Sequence, residues 1–155
     1  MYKKMQKFIY AVAIIIVAWS DLCLADGYTN VKAEKLIVSS LAYNGQALSY
    51  LKTDHPEVTA LIVTIPPGGS TGWHEHPVPV YAYMLDGELT VELKNGASRR
   101  FMKGEPILEV TNRLHNGVNT GKQDARLVVF YTGAAGVPNV VREKATVSGI
   151  GESSN

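Results

Sequence analysis

The chain has 155 residues, 15 of them Lys or Arg and 14 Asp or Glu, for a formal net charge of +1. That length suits one domain and hardly two. The balanced charge, without a basic stripe or a nucleic-acid-reading motif, excludes a polyanion as the expected partner.

In chain order, residues 1–25 read as a segment apart from the fold. "MYKKMQKFIYAVAIIIVAWSDLCLAD" opens with Lys3, Lys4 and Lys7 and runs apolar from Phe8 to Trp19. Cys23 and Ala25 then stand at the −3 and −1 positions of a break before Asp26. This is the pattern of a secretory signal peptide and predicts an exported protein, periplasmic or extracellular. The apolar run falls short of the roughly 20 residues of a membrane-spanning helix, so the mature chain is not expected to be membrane-embedded. An uncleaved anchor is the alternative. "SDLC" does not match a lipoprotein box, because Asp21 and Leu22 stand where small residues would precede the cysteine. Cleavage after Ala25 leaves 12 basic and 13 acidic residues and removes Cys23, the only cysteine. The remaining single domain, 26–155, then has no disulfide, thiol nucleophile or thiolate ligand.

"EKLIVSS" reads weakly as a short strand, and Asn44 to Gln46 as a turn. Val58 to Ile65 is β-branched and apolar on both faces, which predicts a strand buried on both sides, ended by Pro66, Pro67, Gly68 and Gly69. "VYAYMLDGELTVEL" reads as a hairpin around Asp86-Gly87, and "VELKNGASRRFMKG" as a second around Asn95-Gly96. "PILEVTN", "LHNGVNTG" and "ARLVVFYTGA" complete the apolar material, and the polar tail from Val137 to Asn155 is expected to fray. Short strands at intervals of about 8–12 residues predict an all-β antiparallel sandwich or small barrel, with its core from about residue 31 to 141.

Four histidines follow the leader: His55, His74, His76 and His115. His74 and His76, two apart on a strand, share a face. His115 lies by a separate strand about forty residues on, where a barrel brings it near them. Neutral imidazoles converging from two strands make a site for a divalent transition metal. His55, in the loop "TDHPE", reads as a surface histidine.

Between Val58 and Tyr131 the chain resembles the cupin superfamily. Gly68 followed by His74-Glu75-His76 and then Gly87 is similar to the first cupin motif. Gly104 followed by His115 and Asn119 in "GEPILEVTNRLHNGVNTG" is similar to the second. The resemblance implies an antiparallel jelly-roll, or double-stranded β-helix, barrel of six to eight strands with a metal inside one mouth. It implies His74, His76 and His115 as ligands. The first-motif glutamate is missing: Val80 occupies its position, with the strand parity of His76. Three readings stay open. Glu109, an acid inside the apolar strand "PILEV", supplies the absent oxygen ligand, since a buried charge needs a partner. Alternatively three histidines suffice, as in cysteine-dioxygenase-like members. Or the metal site has decayed and Val80 is core.

Glu75 points away from the two histidines, and Asn119 is expected to hydrogen-bond backbone in its turn. Gly87 and Gly104 are expected at positive φ. Trp73, Tyr81, Tyr83, Met84 and Phe130 are candidates for barrel lining or a dimer face, and Tyr81 or Tyr83 for a proton donor near the metal. Arg113 is a candidate to neutralise an anionic ligand, or else a solvated loop arginine. No other catalytic system is visible. The reading is therefore an exported metal-binding protein (zinc, copper, iron, manganese or nickel) that binds or transforms a small oxygenated molecule. A small-molecule ligand and a possible homodimer are the expected partners. The alternatives are a non-catalytic binding protein and a metal-free structural barrel.

Overall fold

The computed structural model of the protein describes residues 30–144; the expected signal peptide and the end of the polar tail lie outside the described residues. The chain divides into two units, Met1–Lys35 and Leu36–Asn155. Of the first, residues 30–35 are described; they are exposed and carry no strand. Among the described residues no helix is long and apolar enough to cross a membrane.

The second unit is all-β. Its strands are β1 (Pro56–Ile65), β2 (His74–Glu75), β3 (Val80–Asp86), β4 (Glu88–Leu93), β5 (Ser98–Met102), β6 (Pro106–Leu108), β7 (His115–Val118), β8 (Ala125–Ala134) and β9 (Val141–Arg142). They form two antiparallel sheets, in the orders β1-β8-β3-β6 and β5-β4-β7-β2-β9. This is the expected jelly-roll barrel, with two strands of only two residues added to its mouth.

Period-2 alternation sets the core. Val80, Ala82 and Met84 of β3, Leu89 and Val91 of β4, and Leu127, Val129 and Tyr131 of β8 all point inward and are buried. Phe101 and Ile107 close the layer with no exposed surface. Full burial of side chains of this size stabilises the fold by roughly 1.5–3 kcal/mol each. Tyr43 packs edge-on against Phe101, ring centroids 5.7 Å apart, and its backbone N–H donates to the carbonyl of Leu108.

The strand expected at "EKLIVSS" does not form; the local pairing is the bridge Leu41↔Ala47 around the expected turn, where Gly45 has φ +89°. β1 corrects a second expectation. It is an edge strand, and Val58, Leu61 and Ile62 are 63, 45 and 56% exposed. Apolar residues on both faces mean burial only where a layer covers each face; here Val58 and Ile62 share an outer face that meets no layer within the described chain, and Leu61, on the face of Val63 and Ile65, is itself only partly covered.

The two hairpins part company. β4 and β5 pair as expected, from Glu92↔Ser98 down to Glu88↔Met102. β3 and β4 do not pair: β3 lies between β8 and β6, while β4 joins the other sheet. Asp86-Gly87 is therefore a corner between sheets. A register shift between Met84 and Asp86 bends β3 there, and the Gly87 N–H donates to the Asp86 Oδ1.

Candidate metal centre

The turn Gly69–Trp73 delivers the chain from the end of β1 into β2, with Gly72 at φ +72°. β2 then sets His74 directly opposite His115, the first residue of β7. His76 follows two residues on, on the same face, and the three rings meet with centroids 4.4 to 4.9 Å apart. His74, His76 and His115 are 8, 3 and 2% exposed. One ligand atom from each lies within 4.8 Å of the others.

Each imidazole is oriented by a backbone carbonyl. Nδ1 of His74 donates to the carbonyl of Gly72 at 2.7 Å, that of His76 to Asn139 at 2.8 Å, and that of His115 to Arg113 at 2.8 Å. A carbonyl can only accept, so every Nδ1 carries the proton and every Nε2 keeps its lone pair. Burial lowers the His74 pKa, with the nearby Arg142 adding to the effect. Burial, with the neighbouring imidazoles, takes His76 down to about 3 and His115 down to about 4. Three buried imidazoles are thus held neutral, the form in which they ligate metals.

Glu109 follows β6, which pairs with β3 through Ala82↔Ile107, and its N–H donates to the carbonyl of Val80. Its Oε2 lies 3.7 Å from the His115 Nε2. Glu109 is beside the tight cluster of three histidines rather than within it. Burial alone raises its carboxyl to about 7. Its Oε2 and the His115 Nε2 are buried without a hydrogen-bond partner. Orphaned buried polar atoms are costly, and here a nitrogen lone pair and a carboxyl oxygen stand together. A divalent cation would satisfy both, so this donor set fits the metal expected of it.

The site opens on a cavity of about 330 Å³. Val80 lines it, as its parity predicts, together with Val63, Leu127, Val129 and Tyr131. Glu75, Tyr81, Tyr83 and Arg113 do not line it. The tyrosine beside the histidines is Tyr131, whose ring stands 5.5 Å from that of His76. Tyr81 and Tyr83 alternate to the outer face, so neither is placed to donate a proton here. Arg113 is exposed and contributes its carbonyl rather than its charge.

The tail departs most from expectation. Residues 139–142 return to the site: Asn139 orients His76, Val140 lines the cavity, and Val141 and Arg142 pair with β2. The apolar pair Val140-Val141 was the one local sign of a strand in that polar stretch. Asn119 does more than expected. Its Nδ2 donates to the carbonyls of Ile65 and Gln123 and its Oδ1 accepts from Gly121, tying the end of β1 to the turn after β7.

Residues 61–131 match the Cupin domain family model, and within that stretch His74, His76 and His115 stand close enough together to hold a metal. No curated protein matches the chain. Similar solved structures include a Cupin 2 conserved barrel domain protein from Salinispora arenicola, 22% identical over 50% of this chain and 65% of its own, TM-score 0.46. A conserved double-stranded β-helix protein from Klebsiella pneumoniae is 20% identical over 61% of this chain and 80% of its own, TM-score 0.46. A polyketide cyclase from Streptomyces resistomycificus is 25% identical over 61% of this chain and 65% of its own, TM-score 0.47. The chain thus spans a little under two thirds of the first and third of these proteins.

Proposed function

We propose that His74, His76 and His115 hold one divalent transition metal, with Glu109 as an oxygen ligand, and that the site binds or transforms a small oxygenated molecule. The carrying observation is the set of three Nδ1–H donors committed to backbone carbonyls, which leaves three neutral Nε2 atoms free at one buried point. When bound, such an ion supplies Lewis acidity and leaves positions open to an oxygen-bearing ligand. Val63, Leu127 and Val129 keep the approach apolar and restrict water. Glu109 balances part of the cation's charge.

The reading includes export, on the strength of Lys3, Lys4, Lys7 and the apolar run that follows. A chain exported unfolded meets its metal outside the cytoplasm, which favours zinc or copper over the weaker-binding iron and manganese. It also includes pairing of two copies along the β1 edge, where no further strand pairs within the described chain and Val58 and Ile62 are exposed.

Metal content by mass spectrometry, on protein purified without chelator or histidine tag, tests the site. About one metal ion per chain is expected, lost on His115→Ala and reduced tenfold or more in affinity by Glu109→Gln. No metal in the parent after reconstitution would sink the reading.

A further inference from the structure

The three-histidine reading leaves one charge at the cavity unused. Arg142 is the only Lys or Arg among the lining residues. Its Nη1 donates to the carbonyl of Thr71 at 2.9 Å, and the next carbonyl along, that of Gly72, orients His74. A single turn therefore seats both the guanidinium and an imidazole. Gly72 leaves the room for it: a Cβ there would stand 3.4 Å from the Arg142 Nη1. Strand register repeats the arrangement, since Arg142 is the β9 partner of His74.

The guanidinium has no carboxylate of its own. The adjacent Glu143 is bound to Lys94 at 2.8 Å, and among the described residues Arg142 forms no ion pair. A guanidinium has five N–H donors in a planar fork, and one serves Thr71, so the others remain for a ligand. The fork matches a carboxylate. Phosphate, carrying about two charges at neutral pH, calls for more than one cation. Val63, Val129 and Val140 give the cavity an apolar wall beside the polar Ser70, Thr71 and Tyr131, and the volume of about 330 Å³ is at the small end for ligand pockets.

We propose that Arg142 anchors the carboxylate of a small substrate whose body is mainly apolar, holding it by the cavity mouth next to the three histidines. The assignment rests on the metal-site reading for what happens beyond the anchor, but the anchor itself is testable without metal.

The experiment is calorimetric titration of the metal-free full chain with benzoate and isobutyrate, each against its neutral amide. A parallel zinc titration is run on the parent. Parent protein is expected to prefer at least one carboxylate over its amide by about tenfold or more, the scale of a charge-assisted pair. Arg142→Gln abolishes that preference. Lys122→Gln, which removes an exposed positive charge away from the cavity, keeps it. Should Arg142→Gln not fold, the preferred carboxylate is expected to shift the Arg142 Nε–Hε resonance of the parent. That resonance is assigned by its loss in Arg142→Lys. No carboxylate preference in the parent, an undiminished one in folded Arg142→Gln, or an unmoved Arg142 resonance overturns the proposal. Zinc binding without an Arg142 effect leaves the metal reading standing and the anchor lost; an Arg142 effect without zinc binding does the reverse.

Discussion

At the scale of single residues, the site is built by carbonyls as much as by histidines. Gly72, Arg113 and Asn139 each commit one Nδ1, which fixes tautomer and ring direction before any ion arrives. The same burial makes the metal-free protein sensitive to acid. His76 and His115 have folded pKa values of about 3 and about 4, below the unfolded value of 6.5. Between those limits the unfolded chain binds more protons, so stability rises with pH up to about 6.5. Glu109 acts the opposite way. Its folded value of about 7 exceeds 4.5, so its contribution is present below pH 4.5 and is lost as pH rises through 7. Two histidine slopes outweigh one glutamate slope up to about pH 7, so chelator-treated protein is expected to gain stability with pH across the acid range and to level off near pH 7. Denaturant titration at a series of pH values checks this. A Glu109→Gln variant should gain stability more steeply than the parent between pH 4.5 and 7, because the opposing slope is gone; a parent stability flat from pH 4 to 8 would contradict the account.

At the scale of elements, Gly87 and Gly96 show two uses of the same dipeptide signal. Gly96 sits at φ +85° in a free turn, and a Cβ there meets nothing within 4 Å. Gly87 sits at φ +67° in the corner between sheets, where a Cβ would stand 2.4 Å from the backbone oxygen of Asp124. Backbone cannot yield as a flexible side chain does. Gly96→Ala is expected to cost about 1 kcal/mol and Gly87→Ala about 3 kcal/mol, the difference being the clash. Urea denaturation of the two variants measures it, and equal losses would mean that the corner relaxes. β9 makes a related point. Two residues of strand are marginal alone, yet they carry Arg142 to His74 and place Asn139 over His76.

At the scale of the molecule, the β1 edge is the unfinished part. Ten residues long and apolar on its outer face, it is the kind of strand that proteins cover or blunt. Pairing with a second copy would cover it, and Ile62→Lys would blunt it. Sedimentation equilibrium is expected to show a dimer for the parent and a monomer for Ile62→Lys, with metal content unchanged. A monomeric parent removes the assignment.

Local chemistry was enough to read the longer strands, the all-β class, the Asn95-Gly96 hairpin and the histidine set from the chain, because alternation, turn residues and ligand type are all short-range signals. It was also enough to place Val80 inward and to single out Glu109, whose acid in an apolar strand demands a partner. Which face of β1 is covered, whether Asp86-Gly87 turns a hairpin or a corner, and whether Arg113 or Arg142 stands at the cavity depend on pairings between distant segments. The β2–β9 contact joins residues 74 and 142, and no local pattern specifies so remote a register. The residues of the candidate site were therefore legible in the sequence, while their orientation and the charge beside them were decided only when the tail returned to the barrel mouth.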